Sequence, residues 1–283
     1  LYISDANHGQ FNTLWGEYDL PSPLAWFLNT ENFISMEEQQ TILKVFAKVF
    51  LDKTLKGIEK YETLLTDCGR YGEYLPDTVY IQQYEKSGTH MLCNYEEDSD
   101  LLTGTDPNVH LQARNMYLWT EEMLRFSGES GDEKNNYALR LIWSGTKEAS
   151  YSVTFQEPAM IKNGRIAFDI CDMDIEAAKE GAGEKLEPEL RIRDTDGNEA
   201  NLSVSDYAAI YPPLPVKLGK IQCLTGQSEY KRQHQTVSIP ADLFISSDKE
   251  VDLEHISKIE ILFPNNSSGN VSIDNVCIQR DEQ

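Results

Sequence analysis

The chain holds 283 residues, 40% of them hydrophobic and 10% aromatic, enough for one large domain or two ordinary ones with real cores. Its 47 acidic against 25 basic side chains leave a formal charge of −22, which argues against nucleic acid and anionic membrane surfaces as partners and favours neutral or cationic ligands. No stretch approaches the roughly 18 apolar residues of a membrane span, and Leu1-Tyr2-Ile3 is far too short for the apolar region of a secretion signal.

The first element is a short apolar run, Leu1-Tyr2-Ile3, that leads into the turn "SDANHGQFN" (Ser4 to Asn12) carrying His8. The missing initiator Met reads as a fragment, a processed chain or an engineered one. Ser35-Met36-Glu37-Glu38 is a capping box. Ile42, Phe46, Val49 and Phe50 then recur at helical spacing, with Leu43 and Val45 widening the stripe, and Gly57 is the stop. A second short helix is predicted over Ile58 to Thr66. Residues 70–90 lose the period and carry Tyr71, Tyr74, Tyr80 and Tyr84, amphipathic area that reads as a linker packing on the following sandwich.

From about Cys93 onward the period changes from 3.6 to 2. Strands are predicted at 137–143, 151–156, 165–171, 189–194, 235–240, 258–263 and 270–279. Lys162-Asn163-Gly164, Asp194 to Asn198 and Asn265 to Gly269 supply turn chemistry between them. Strands at this spacing without intervening helices predict a mainly β fold, a sandwich or barrel. The five cysteines, Cys68, Cys93, Cys171, Cys223 and Cys277, have no metal spacing and read as inert structural thiols.

The stretch "YISDANHGQFN", followed by "WFLNTENFISMEEQQTILKVFAKVFLDKTLKG" and "YETLL", resembles the C-terminal end of an α/β-hydrolase domain of the esterase/lipase-like group. What the resemblance implies is specific. The last strand of a parallel sheet runs into the turn, His8 is the base of a Ser-His-acid triad, and a terminal helix packs back on the sheet. The turn is shaped by Asn7, Gly9 and Gln10. The nucleophile should precede His8 in a G-x-S-x-G elbow, and the chain has none. Ser127-Gly128-Glu129-Ser130-Gly131 comes nearest but follows His8, the wrong order. This implies residues 1–90 as the end of a hydrolase domain, with the rest of that domain as partner and a small ester as substrate.

Residues 91–283 resemble the jelly-roll-like β-sandwich appended to such hydrolases. Their closing pattern "G-x-V-x-I-D-N-V-x-I" is similar to the last strand of carbohydrate-binding-type modules. The resemblance implies a glycan ligand, for which exposed aromatics are wanted. Trp119, Trp143, Tyr151 and Tyr207 are the candidates, with Trp143 reading as core.

Other constellations have plainer readings. Asp194, Asp196 and Asn198 beside Gly197 read as a hairpin turn, with a structural Ca²⁺ loop as the alternative and no other cofactor. Asp169, Asp172 and Asp174 read as a solvated strand end. His90, His110, His234 and His255 share no ligand spacing. Tyr211 to Pro215 is a rigid crossover, and Asn201, Asn265, Asn266 and Asn270 are glycosylation sequons.

Two functions stand: the C-terminal piece of a serine-type carboxylic-ester hydrolase, inactive alone, or a non-catalytic module that binds glycan or caps a domain. An undocked apolar stripe on the helix would also serve a homodimer. Scattered cysteines lean away from a disulfide-built secreted domain, while a terminal sandwich leans towards the cell surface.

Overall fold

The structure, a computed structural model, describes residues 1–129, 133–180, 186–221, 229–245, 251–265 and 267–280, apart from the side chains at 70, 125–129 and 133–135. Strands β1 (Tyr2–Ile3) and β2 (Tyr80–Ile81) flank helices α1 (Met36–Lys56) and α2 (Thr63–Thr66). Next come β3 (His90–Cys93), β4 (Val109–Arg114), β5 (Leu118–Glu129), β6 (Glu133–Ser144), β7 (Ala149–Ala159) and β8 (Gly164–Asp172). After the short α3 (Ile175–Glu180) follow β9 (Glu189–Asp194), β10 (Glu199–Ser203), β11 (Leu214–Pro215), β12 (Tyr230–Lys231) and β13 (Gln235–Pro240). The last two are β14 (Ile256–Phe263) and β15 (Ser268–Arg280). These elements form two compact units, Leu1–Tyr84 with Leu214–Lys231, and Glu85–Pro213 with Arg232–Gln283. The segment 214–231, which in sequence lies among the sandwich strands, thus packs with the N-terminal residues.

In the first unit, α1 starts at the expected capping box, with the Ser35 hydroxyl accepting from the Glu38 amide and the Glu38 carboxylate accepting from the Ser35 amide at 2.7 Å. It ends at Gly57, whose φ of 64° is the left-handed conformation that a side chain disfavours. Ile42 and Val49 are buried, and Val49 clusters with Leu64 and Leu65. Phe50 is half exposed, so the buried stripe is narrower than the sequence period drew it. Tyr71 and Tyr84 pack on the Val49 cluster, and the Tyr80 ring meets Phe46 with centroids 6.4 Å apart. The Tyr-rich stretch therefore docks on α1. The second helix is shorter than Ile58 to Thr66. Gly57 breaks the path, and Lys53 draws Glu59 and Glu62 into ion pairs that shape a turn before Thr63.

The Leu1–Ile3 run is not a strand of a parallel sheet. Here β1 pairs antiparallel with β2 in a two-stranded sheet, Tyr2 opposite Ile81 and Ile3 opposite Tyr80. A further two-stranded pair, β11 with β12, is joined to residues 27–29 through a bridge between Leu28 and Gly219.

The second unit is a mainly β, jelly-roll-like sandwich of two antiparallel sheets. One has the order β10-β9-β14-β7-β4. The other is β13-β8-β15-β6-β5, with β3 also on β15. All seven predicted strands fall within observed ones. Strands alternate, so one face of each sheet supplies the core. Leu111, Val153, Ile192, Ile259 and Ile261 of the first meet Leu141, Phe168, Ile170, Val237 and Ile273 of the second in one cluster. In β15 the register shifts between Asp274 and Cys277, and Asn275 takes a φ of 52°. This bulge lets Ile273 and Val276 both reach the core.

Candidate functional site

The open face of the five-stranded sheet follows from strand register. Residues directly opposite one another share a face. With Leu111, Val153, Ile259, Ile192 and Ala200 turned to the core, the intervening residues form three rows across the sheet. One row runs Arg114, Ser150, Leu262, Glu189, Ser203. The next runs Gln112, Ser152, Glu260, Arg191, Asn201. The third runs His110, Thr154, Lys258, Arg193, Glu199. Fourteen of these fifteen side chains are polar. Strands stand about 4.8 Å apart, and same-face residues along a strand about 6.7 Å apart. The face is therefore a grid of hydrogen-bonding groups.

The grid is ordered by its own charges. Glu260 is buried, and its carboxylate takes the Lys258 ammonium at 2.5 Å and lies 3.9 Å from the Arg191 guanidinium. Arg191 Nε donates to Asn201 Oδ1 at 3.0 Å, and Asn201 Nδ2 donates to Glu189 at 3.1 Å. Arg193 is held by Glu199. At the other edge Arg114 Nε donates to the neutral amide of Gln112 at 3.2 Å. A groove of about 490 Å³ opens here, bounded by Arg114, Lys147, Arg191, Arg193 and Lys258 and by the acids Glu148 and Glu260. The polar positions of these strands read, one strand at a time, as an ordinary solvated face. Only the pairing brings them into one grid.

The outward side of the six-stranded sheet is polar too, but buried. Asp169 accepts from Thr236 Oγ1 at 2.5 Å and Asn275 Nδ2 at 3.0 Å. Asp274 accepts from Asn136 Nδ2 at 3.2 Å and the Asn275 amide at 2.8 Å. Burial, with Asp169 and Glu96 nearby, pushes the Asp274 carboxyl up to about 7. The acidic strand end is therefore not solvated as expected. Asp169 is 5% exposed, burial pushes Asp172 up to about 6, and Asp174 Oδ1 accepts from the Ala177 amide at the start of α3.

His8 stands exposed at the start of a 3-10 turn over Gly9–Phe11. Its amide donates to Asp19 Oδ2 at 3.0 Å, and its ring meets Trp15 edge-on, centroids 5.1 Å apart. Among the described residues no hydroxyl or carboxylate hydrogen-bonds the imidazole. Asn7 and Gln10 are buried beside it and tied to α1. Gln39 Nε2 donates to Asn7 Oδ1 at 3.2 Å, to Ile34 O at 3.1 Å and to Gln10 Oε1. A pocket of about 560 Å³ in this unit is lined by Tyr2 to Ala6, residues 215–218 and residues 229–231, and His8 is not among its walls.

The remaining candidates are found in local hydrogen bonds or in the core. Asp194 closes its turn by accepting from the Asn198 amide and Asn198 Nδ2, both at 2.8 Å, and from the Asp252 amide at 3.1 Å. Its oxygens thus face N–H donors, and Asp196 makes no convergent ligand set with them. Among the described residues no three His, Cys, Asp or Glu side chains converge as metal ligands do. His90 pairs with Asp106 and His255 with Asp252, while His234 meets Ser272. Trp143 is core, stacked on Phe263 at 4.1 Å. Tyr151 is buried against the Tyr95 hydroxyl at 3.0 Å, and Trp119 and Tyr207 pack half-buried on the core. None of the four candidate aromatics lies on the open grid. Burial pushes the thiols of Cys68 up to about 11 and of Cys93 and Cys277 to about 12. Ser127 to Gly131, Cys223 and Asn266 lie outside the described side chains. Among the described residues no helix is long and apolar enough to cross a membrane.

No family model matches the chain, and no curated protein matches it. Among solved structures it is similar to the family 11 carbohydrate-binding module from Clostridium thermocellum in complex with a β-1,3-1,4-mixed-linked tetrasaccharide. The TM-score is 0.42 and the identity 16%, over 70% of this chain and 99% of that one. It is similar to the family 30 carbohydrate-binding module of a cellulosomal cellulase of Clostridium thermocellum, TM-score 0.38 and 11% identity, over 72% and 100%. It is also similar to an exo-β-agarase, TM-score 0.42 and 19% identity, over 69% of this chain and 25% of that one.

Proposed function

We propose that the chain is a non-catalytic binding module whose sandwich takes a glycan on the open face of the five-stranded sheet. The observation that carries this is the three-row grid, in which the exposed guanidinium groups of Arg114 and Arg193, the amides of Gln112 and Asn201 and the carboxylate of Glu189 surround the buried Ser150, Ser152, Glu260 and Leu262 in fixed register. Small-molecule pockets are mostly apolar with a few polar groups; here the ratio is reversed. A ligand that satisfies such a face must itself carry a donor or acceptor every few ångströms, as a polyhydroxylated sugar does. Planar side chains can each meet two adjacent hydroxyls. Arg191 and Asn201, held by their neighbours, supply donors at the centre. Affinity electrophoresis through gels containing polysaccharides tests the reading. Retardation by at least one polysaccharide is expected, weakened roughly tenfold in Arg191→Ala, the scale of one hydrogen bond to a charged group. Unchanged mobility in neutral, carboxylated and sulfated polysaccharides alike defeats it.

A second reading belongs to His8, because the Asp19 and Gln39 contacts hold its turn at a defined place on α1. In it, the turn supplies the histidine of a serine-type ester hydrolase whose nucleophile and acid lie outside this chain. The chain by itself then turns over no p-nitrophenyl acetate. Turnover that survives serine-directed inhibitors and disappears in His8→Ala counts against it.

A further inference from the structure

We infer that the ligand of the open sheet face is an anionic glycan, one bearing carboxylate or sulfate groups, and that Arg114, Lys147, Arg191 and Arg193 receive its charges. This rests on the glycan reading of the face and adds the ligand's chemical class.

The distribution of charge carries the inference. The groove is bounded by five of the chain's 25 cationic side chains but only two of its 47 acidic ones. In a chain of net charge −22 that is a local inversion of sign. Whole-chain charge predicts repulsion of anions, yet at physiological salt the screening length is about 8 Å. A bound group therefore feels the groove more than the distant surface. Of the two acids, Glu260 is 5% exposed and packed against Lys258 and Arg191, while Glu148 is exposed. The Arg193 side chain is 44% exposed and Arg114 and Lys147 are open to solvent, so three open cations stand against one open acid. Arg114 has a neutral amide as its partner, and among the described residues neither it nor Lys147 meets a carboxylate.

Geometry narrows the ligand. Arg114 and Arg193 belong to opposite parts of the sheet, three strands and two rows apart, about 14 Å across the strands and about 13 Å along them, hence roughly 20 Å in all. The cations therefore form a stripe across strands, and a single small anion fills only part of it. A chain with repeating negative charges can meet several. A guanidinium presents two parallel N–H groups, which match the paired oxygens of carboxylate and sulfate. The exposed amides of Gln112, Asn115 and Asn201 suit the sugar rings that carry those charges.

Isothermal titration of the full chain at 50 mM and 500 mM NaCl tests this with five probes: polygalacturonate, a sulfated galactan, neutral agarose, a neutral β-glucan and poly-glutamate. Expected is binding of polygalacturonate or the sulfated galactan, which of the two identifying the charged group. That binding should weaken roughly tenfold or more at the higher salt. It should also fall about tenfold or more in Arg114→Glu with Lys147→Glu, an exchange of attraction for repulsion. Lys44→Glu, an exposed charge on α1, should leave it unchanged. If neutral and charged glycans bind equally and the double variant behaves as the parent, the anionic inference fails while the glycan reading stands. If no glycan binds, both fail. Poly-glutamate bound as tightly as the best polysaccharide shows charge recognition without sugar and overturns the inference, as does equal loss in Lys44→Glu.

Discussion

Glu260 and Arg191 stand directly opposite one another on β14 and β9, the carboxylate buried and the guanidinium partly open, with 3.9 Å between their nearest charged atoms. Lys258, two residues along β14, takes the other oxygen of Glu260. Together the three side chains set one buried carboxylate between two cations that are themselves only partly exposed, on the outward face of the sheet. One acid thus serves structure and ligand face together, because it cancels repulsion between cations and fixes where they point.

That arrangement predicts the cost of taking it apart. Lys258→Met leaves Glu260 buried with only the more distant Arg191 to balance it. Loss of one partner from a buried pair costs about 3–5 kcal/mol, and the residual Arg191 contact brings the expectation to roughly 2–3 kcal/mol. Lys258→Met with Glu260→Gln should cost clearly less than the sum of the two single changes, since the double variant buries no unpaired charge. Urea unfolding of the four proteins reads the cycle. Additivity would show that the two groups do not interact.

A second prediction concerns the core at the start of β15. A Cβ on Gly269 would lie 2.3 Å from Trp143 Cζ2, and Trp143 is itself stacked on Phe263. The ring is buried and has little room to retreat. Gly269→Ala should therefore destabilise by about 1–3 kcal/mol, the range for overpacking, with a change in Trp143 fluorescence. Gly145→Ala is a comparison of another kind, since a Cβ there meets open space and its cost comes from a φ of 141°. It should lower stability without the fluorescence change.

Much of this fold can be read from periodicity, and the exceptions have physical causes. The strands at 189–194 and 235–240 keep their expected bounds because alternation and turn residues agree there. Strand β5 was missed. Its Leu-Trp-Thr-Glu-Glu-Met-Leu-Arg run is rich in helix formers, and pairing with β6 overrides local preference. Asp169 looked like a solvated edge because sequence cannot show that Thr236 and Asn275 close over it. The open grid was missed for a related reason. Arg191 and Arg193 alternate with Leu190 and Ile192 as any half-buried strand would, and their meeting with Glu260 and Lys258 depends on register across about 65 residues of chain. The signal was present in the outward positions of three strands, which hold Arg and Lys in an acidic chain.

Stability should fall as pH rises from about 4 to 8. Asp274 is raised from its ordinary 3.8 to about 7, Asp172 from 3.8 to about 6 and Glu121 from 4.5 to about 7, each chiefly by burial. Through that window the folded chain keeps protons that the unfolded chain has released. The unfolded state binds fewer protons, so unfolding becomes easier as pH rises. Carboxyls held low, such as Asp52 by Lys48 and Lys56, lose their contribution only at more acid pH. The melting temperature should peak near mildly acid pH and decline towards pH 8. Glu121→Gln and Asp274→Asn should each flatten the decline. A melting temperature that climbs steadily from pH 5 to 8 would be the wrong sign and would show that these acids are ionised in the fold.

The N-terminal turn depends on one amide. Gln39 is fully buried on α1, and its side chain bonds Asn7, Gln10 and the Ile34 carbonyl and accepts from the Asn7 amide at 3.3 Å. Gln39→Ala strips partners from two buried side chains and two main-chain groups. Each unsatisfied buried group costs about 1–3 kcal/mol, and water entering the gap recovers part of that, so a loss of roughly 2–4 kcal/mol in the first unit is expected. The damage should be local. Amides of residues 7–12 and the first turns of α1 should exchange faster, while those of β8, β14 and β15 keep their protection. Gln39→Glu separates packing from hydrogen bonding. A carboxylate has nearly the same shape and can still accept from the Asn7 amide, but it cannot donate to Asn7, Gln10 or Ile34. Protection of residues 7–12 should therefore fall in Gln39→Glu as well. If Gln39→Glu keeps full protection at neutral pH and only Gln39→Ala loses it, side-chain volume and not the donated bonds positions the turn on α1.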